Sequence, residues 1–366
     1  MKITKYNIGF LLGAITIVIH LLAQFVGGDY IYKWYHLLVF KPIRILYDNT
    51  LGLVDFPMIY LFLFIIFVLL ISFVYQRIID YQWDGLRSSF KNGVFSFLNF
   101  VGVLFFLFYF LWAFNYYRPS LNATLELPEI DESSIDLEGE FAKISQMAAY
   151  ERAFLTKDTA ALVMAINWQN LEDSIRKNQE LLLHSWNQDV AGEVRIRALY
   201  PKGSLLSIST AGVYIPFVCE GHVDAGLHFI QWPFTLAHEM AHGYGFTDEG
   251  VCNFIGFITC MKSQDHFIRY SGLVGYWRYL YSELKYKNPE ITLDSIQLDH
   301  GMKADLLAIR KNSNSYGEYF PFMRDIMYDF YLKLHGMPAG LDSYNELIIQ
   351  VQRWNQSKHA FPLSNQ

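Results

Sequence analysis

The sequence contains few cysteines and no cluster of basic residues. Its three cysteines, Cys219, Cys252 and Cys260, form no CxxC pair, and so small and odd a set excludes a disulfide framework. The net charge of −6 comes without a basic tract, so nucleic acid is not an expected partner. A P-loop, a GxGxxG element and an internal repeat are also missing, so the chain shows no nucleotide-binding or repeat signature.

Apolar residues, by contrast, are abundant. The chain of 366 residues is 52% hydrophobic and 17% aromatic, more than a soluble protein needs. Long apolar runs occupy residues 8–26, 56–75 and 94–114, and each is long enough to cross a bilayer. The sequence therefore predicts three transmembrane helices and a lipid bilayer as a partner.

These runs also predict how the chain is organised. Residues 1–118 are expected to form a membrane domain, residues 119–140 an acidic junction, and residues 141–366 a second domain. Three spans put the termini on opposite sides, and the distribution of Lys and Arg slightly favours an inner N-terminus. The C-terminal domain is then expected outside the cytoplasm. No sequence feature indicates the oligomeric state.

A metal-ligand motif, HEMAH, lies in the second domain at residues 238–242. On a helix, His238 and His242 share one face, where both can ligate one Zn²⁺ ion, and Glu239 can act as general base on the attacking water. Pro233 suits the first turn of such a helix, and Gly243 and Gly245 indicate its end. The motif predicts a catalytic zinc site.

A catalytic zinc requires a third protein ligand, and two neighbouring acids compete for that position. Glu249 begins EGVCN, which is similar to the third-ligand helix of gluzincin peptidases, whereas Asp248 completes a metzincin-like HExxHxxGxxD pattern. Glu249 is preferred because no methionine turn is evident downstream. Asp248 stays an alternative ligand, and Asn253 is a candidate to orient a ligand from behind.

Strand signals precede the motif. The segment at residues 205–218 is rich in β-branched and aromatic residues. Its central residues Gly212, Val213 and Tyr214 are the candidate edge strand on which a peptide or protein substrate would add as a further strand. Tyr270, Tyr316 and Tyr319 are possible hydrogen-bond donors to an oxyanion.

Several segments together resemble a known family. They are WAFNYYR, TAGVYIPFVCEGHVD, PFTLAHEMAHGYGF, FIRYSG and MYDFYLKLHGMPAGLDSYNELI. The chain resembles an uncharacterised family of bacterial integral-membrane proteins, a domain of unknown function regarded as predicted zincin metallopeptidases. The family pattern GFxxExEANF is similar to GFTDEGVCNF here, so the first acid is kept as Glu249 while Val251 replaces the second.

The resemblance and the motif lead to one expected fold and function. The fold is expected to be mainly α, with three N-terminal transmembrane helices followed by an α+β zincin-like, gluzincin-type domain with a small sheet. The expected function is a zinc metallopeptidase of the bacterial cytoplasmic membrane, multi-pass and with an outer catalytic domain. The alternative is a non-catalytic membrane receptor or scaffold that retains the zincin fold.

Overall fold

A computed structural model describes residues 8–317 and 343–360 of the chain. The chain divides into two compact units. The first contains Met1–Pro119 together with the short segments Ala191–Glu193 and Ile215–Glu220. The second contains Ser120–Val190, Val194–Tyr214 and the chain from Gly221 onward.

The first unit is helical. A π-helical turn, His36–Phe40, joins its second and third helices without a break. The helices are α1, Ile8–Val26; α2, Gly28–Tyr35; α3, Lys41–Asp48; and α4, Met58–Leu111.

Helix α4 replaces two of the predicted spans. Gly85, with φ 80° and ψ 173°, is non-helical inside it. The Asn92 side chain donates a hydrogen bond to Asp80 at 3.0 Å, and Ser89 Oγ donates to the Arg77 carbonyl at 2.8 Å. In a straight helix residues twelve apart would be separated by about 18 Å, so the chain turns back at Gly85.

The prediction of three separate transmembrane helices is therefore wrong. Within the described residues, α4 is the one helix long and apolar enough to cross a membrane. The described apolar part of α1, Ile8–Ala23, is shorter than a span requires. Between the second and third apolar runs the chain is helical on both sides of Gly85, and Arg77 pairs there with Asp80 at 3.2 Å.

The second unit is also mainly helical. Asp136, Asn167, Asp248, Asp265 and Asp299 each cap a helix by accepting a hydrogen bond from a backbone N–H of its first turn, which determines where these helices begin. The helices are α5, Leu121–Thr124; α6, Leu137–Leu155; α7, Trp168–Ser185; α8, Trp232–Gly243; α9, Glu249–Met261; α10, His266–Lys287; α11, His300–Asn314; and α12, Ser343–Asn355.

A small sheet lies among these helices. Its strands are β1, Ile196–Leu199; β2, Gly212–Ile215; and β3, Glu220–Asp224. Their order is β1-β3-β2, and β1 runs parallel to β3 with Ile196 opposite Gly221. Strand β2 is consequently at an edge of the sheet.

The core of the second unit forms where α8, α9 and α10 pack together. Two glycines permit the close approach. A Cβ on Gly256 would lie 3.3 Å from the backbone nitrogen of His238, and a Cβ on Gly272 would lie 2.5 Å from Cys260 Cβ. Fully buried apolar side chains fill the contacts, among them Leu236, Met240, Phe254, Phe257 and Leu273. The HEMAH helix is thus held on a rigid, apolar support.

Candidate metal centre

The two motif histidines lie at the C-terminal end of α8. Pro233 occupies the first turn of this helix, where its missing N–H leaves no helical hydrogen bond unmade. Because His238 and His242 are one turn apart, their rings meet, and their Nε2 atoms are 3.2 Å apart. Two imidazole nitrogens therefore converge on one point.

A carboxylate from the next helix joins them. The chain reverses at Gly245, whose φ is 83°, and Glu249 is the first residue of α9. One Glu249 oxygen lies 3.2 Å from His238 Nε2 and the other lies 3.2 Å from His242 Nε2. All the possible ligand atoms are within 4.8 Å of one another, and in the described part of the chain no other such group of His, Cys, Asp or Glu occurs.

Asp248 has a different position. Its carboxylate accepts a hydrogen bond from the Val251 N–H at 2.8 Å and so caps α9. Asn253, the predicted supporting residue, is buried on α9, and no hydrogen bond joins it to the site within the described residues. The structure thus brings Glu249, rather than Asp248, to the two histidines.

A hydrogen bond at Nδ1, on the side of the ring opposite Glu249, determines the orientation of His242. Its Nδ1 is 3.0 Å from the Phe246 carbonyl oxygen, to which an Nδ1–H donates, and this directs Nε2 at Glu249 and His238. The buried thiol of Cys252 lies 3.4 Å from the same Nδ1 and donates to the Phe246 oxygen at 3.6 Å. The sequence analysis did not single out Cys252 for this site, because a separation of ten residues from His242 does not predict a contact.

Glu239 lies beneath the cluster and is only 4% exposed. Within the described residues its Oε2 has no hydrogen-bond partner. Two glycines make room for it, because a Cβ on Gly212 would lie 2.6 Å from Glu239 Oε1 and a Cβ on Gly221 would lie 3.1 Å from Glu239 Cβ. Burial raises the pKa of the Glu239 carboxyl, an effect that His238 and His242 partly offset.

His242 and Glu249 shift each other's pKa. Burial lowers the pKa of His242, but Cys252 and Glu249 more than offset this and hold it well above its usual value. Burial also raises the pKa of Glu249, but His242 and His238 outweigh that effect and hold it well below its usual value. Glu249 is therefore a carboxylate placed against positive charge.

The predicted edge strand lies beside Glu239, whereas Tyr270 and Tyr316 contact other parts of the second unit. Gly212, Val213 and Tyr214 all lie in β2, at the edge of the sheet, and Gly212 is the residue that contacts Glu239. Tyr270 is fully buried and donates its hydroxyl to Asp305 at 2.7 Å, so it is not directed at the cluster. Tyr316 lies against Gly203 and Gly226 instead. Tyr319 lies outside the described residues.

The donor set fits zinc. Two nitrogens that are each about 2.0–2.1 Å from a tetrahedral zinc ion lie about 3.3 Å apart, close to the 3.2 Å between the two Nε2 atoms. Two imidazoles and one carboxylate are the ligands of many catalytic zinc sites, and they leave a fourth position open. In the described part of the chain His238 Nδ1 has no partner, so the orientation of this ring depends on packing.

Comparison with known proteins places the chain in a family. The model of a family described as protein of unknown function (DUF3810) matches residues 35–350. The chain belongs to this family. Membership confirms the resemblance to a family of unknown function, and the DUF3810 match includes the whole cluster of His238, His242 and Glu249. Neither a curated protein nor a solved structure matches the chain.

Proposed function

We propose that this protein is a membrane-associated zinc metallopeptidase of the zincin type. His238, His242 and Glu249 are the metal ligands, and Glu239 is the general base. The observation that carries the proposal is the convergence of two Nε2 atoms and a carboxylate, each contact at 3.2 Å, next to the buried carboxyl of Glu239, whose Oε2 has no hydrogen-bond partner among the described residues. An ordinary structural ion pair between His238, His242 and Glu249 would not require the buried Glu239 carboxyl beside it.

Each residue has a chemical role in this proposal. Bound zinc would supply Lewis acidity for the attack of water on a peptide carbonyl. Glu239 accepts a proton as the water oxygen bonds to the carbonyl carbon, and it delivers that proton to the nitrogen as the C–N bond breaks. Burial raises the pKa of the Glu239 carboxyl, which makes it a better proton acceptor than an exposed glutamate.

The edge strand indicates how a substrate binds. Extended peptides commonly bind proteins by pairing their backbone with an exposed edge strand. Strand β2 is at the edge of the sheet, and its Gly212 lies against Glu239. A peptide paired with Gly212, Val213 and Tyr214 would pass beside the carboxyl. We therefore propose that the substrate is an extended peptide or an extended segment of a protein.

Membrane association rests on α4. It is long and apolar enough to span a bilayer, and most of its apolar side chains are exposed. We propose that it anchors the protein in a bacterial cytoplasmic membrane. The prediction that the C-terminal part lies outside the cytoplasm depended on three spans, and the described residues contain one helix of that length and composition.

Metal analysis of matched variants tests the site. Wild-type protein should contain about one zinc per chain, His238→Ala and Glu249→Gln should lose it, and Glu239→Gln should keep it without turnover of a peptide library. Asp248→Asn is the control because asparagine still caps α9, so zinc and turnover should both remain. Stoichiometric zinc in a variant lacking both histidines would refute the ligand assignment.

The same measurements separate the peptidase from the non-catalytic alternative. A wild-type protein that holds zinc but cleaves no library peptide in the presence or absence of a chelator would be a receptor or scaffold. A chelator-sensitive cleavage that Glu239→Gln abolishes would instead establish the peptidase.

A further inference from the structure

The first unit carries an exposed apolar stripe outside α4. Helix α2, the π-helical turn and helix α3 follow one another directly and form a nearly continuous helical segment, Gly28–Asp48. Large apolar side chains recur along one side of it at helical spacing. The apolar stripe consists of Tyr30, Trp34, Leu37, Leu38, Ile45 and Leu46, all exposed.

The polarity of this segment is inverted compared with a helix of a soluble protein. Leu38 is 66% exposed and Leu46 is 65% exposed, whereas Arg44 is 1% exposed and Asp48 is 6% exposed. In water the apolar side would be buried and the ions would face the solvent. The arrangement is the one expected where the outer medium is itself apolar.

Hydrogen bonds keep the segment in this orientation. Arg44 pairs with Asp48 at 2.7 Å and also donates to the Cys219 carbonyl at 2.5 Å. The other Asp48 oxygen accepts a hydrogen bond from the Glu193 N–H at 2.8 Å. Turning the stripe inward would break this buried network and leave its charges without these partners. The exposure of the stripe is therefore a property of the fold.

The side chains around the stripe identify what covers it. Trp34 and Tyr30 have amphipathic rings of the kind that concentrate at membrane interfaces. Lys33 is exposed beside them and Lys41 is half-buried, and long lysine side chains reach from an apolar surface to charged headgroups. The segment also belongs to the same compact unit as α4, whose apolar surface is likewise exposed and which is long and apolar enough to cross a membrane.

We propose that the apolar stripe lies in the interfacial layer of a bilayer that contains anionic lipid, as a second membrane contact beside α4. This surface is independent of the zinc cluster and of the proposed peptidase activity. Its occupant is lipid rather than a second copy of the chain, because the lysines beside it carry the charge that anionic headgroups attract.

Spin-label accessibility tests the proposal in the full chain reconstituted into vesicles of zwitterionic and anionic phospholipid. Nitroxide probes are placed at Leu38→Cys and Leu46→Cys, with Phe64→Cys in α4 as the lipid reference. Val163→Cys, 91% exposed in the second unit, is the water reference. The native cysteines are buried and should not react.

The expected result is a ratio of oxygen to nickel-chelate collision rates that is several-fold higher at Leu38 and Leu46 than at Val163, and closer to that at Phe64. Nickel accessibility equal to that at Val163 would overturn the proposal. Protection from both reagents would also overturn it, because that outcome means that protein covers the stripe. Two labelled positions keep the test valid if one variant does not fold.

A second measurement tests the role of Lys33 in recognising anionic lipid. Raising the anionic lipid fraction should increase the oxygen-to-nickel ratio at Leu38 in the parent chain, and the increase should shrink in Lys33→Gln. Lys157→Gln, an exposed lysine of the second unit, is the matched control and should leave the increase unchanged. An equal response in both variants would contradict recognition of anionic lipid through Lys33.

Discussion

Replacing Gly212 by alanine should separate catalysis from metal binding. The three atoms nearest to a Cβ at this position all belong to Glu239: Oε1 at 2.6 Å, Cγ at 2.9 Å and Cδ at 3.0 Å. The backbone of Gly212 is not in the left-handed region, so alanine can adopt it without strain. The added methyl group therefore acts by displacing the Glu239 side chain.

The size of the effect follows from this overlap. A carbon 2.6 Å from an oxygen is too close, so the Glu239 side chain must shift by several tenths of an ångström. Overpacking of this kind generally costs about 1–3 kcal/mol. Misplacing a catalytic group by about 1 Å can cost roughly a hundredfold in rate. We expect Gly212→Ala to lower kcat by about ten- to a hundredfold while zinc stoichiometry stays unchanged.

The assay combines kcat, KM, zinc content and Tm. Gly221→Ala is the control because its methyl group meets Ile196 Cδ1 at 2.4 Å but only the Cβ of Glu239, so it should lower Tm with a smaller loss of kcat. In a Glu239→Ala background the Tm penalty of Gly212→Ala should largely disappear, as a double-mutant cycle would show. An undiminished penalty there, or an unchanged kcat in the single variant, would refute the reasoning.

Three further predictions concern stability and metal removal. Asp305→Ala should destabilise the fold by about 3–5 kcal/mol because it removes the carboxylate that pairs with buried Arg152, whereas Tyr270→Phe should cost about 1 kcal/mol; denaturant unfolding measures both. Burial, and then Asp248, raise the pKa of Glu346 to about 7, so the folded state holds an extra proton between pH 4.5 and 7 and stability falls as pH rises through that window. Glu346→Gln should therefore be about 1–2 kcal/mol more stable than the metal-free parent at pH 8, after allowance for partial exposure of the side chain. At pH 4 the two proteins should be equally stable, and a stability difference that stays constant between pH 4 and pH 8 would contradict this prediction. Chelation should lower the Tm of zinc-loaded wild type and leave that of His238→Ala unchanged.

Local patterns in the sequence were sufficient to locate the candidate site. The spacing of His238 and His242 requires only a helix to bring their rings together, and the glycine after them requires only a turn to return Glu249 to the same point. Both requirements are satisfied over fewer than twenty residues. Asp248 and Glu249 were harder to tell apart, because they are adjacent in the chain and only the tertiary structure shows that Asp248 caps α9 while Glu249 meets the histidines.

The spans were misjudged for a related reason. Hydropathy treats Arg77 and its neighbours as a break, since it counts charges without their partners. In the structure Arg77 pairs with Asp80 and Asp80 accepts a hydrogen bond from Asn92, so the chain stays helical on both sides of Gly85. Asp80 and Asn92 are twelve residues apart and come together only because the chain turns at Gly85, which periodicity does not register.

By itself the sequence determined the apolar character of the first unit, the HEMAH helix and the acid that follows it, because each depends on neighbouring residues. Tertiary structure alone decided which residues surround Glu239 and His242. Gly212 lies against Glu239, and Cys252 lies against His242, although neither pair is adjacent in the chain. The inverted orientation of α2 and α3 was decided in the same way, since Arg44 and Asp48 are buried only where Cys219 and Glu193 meet them.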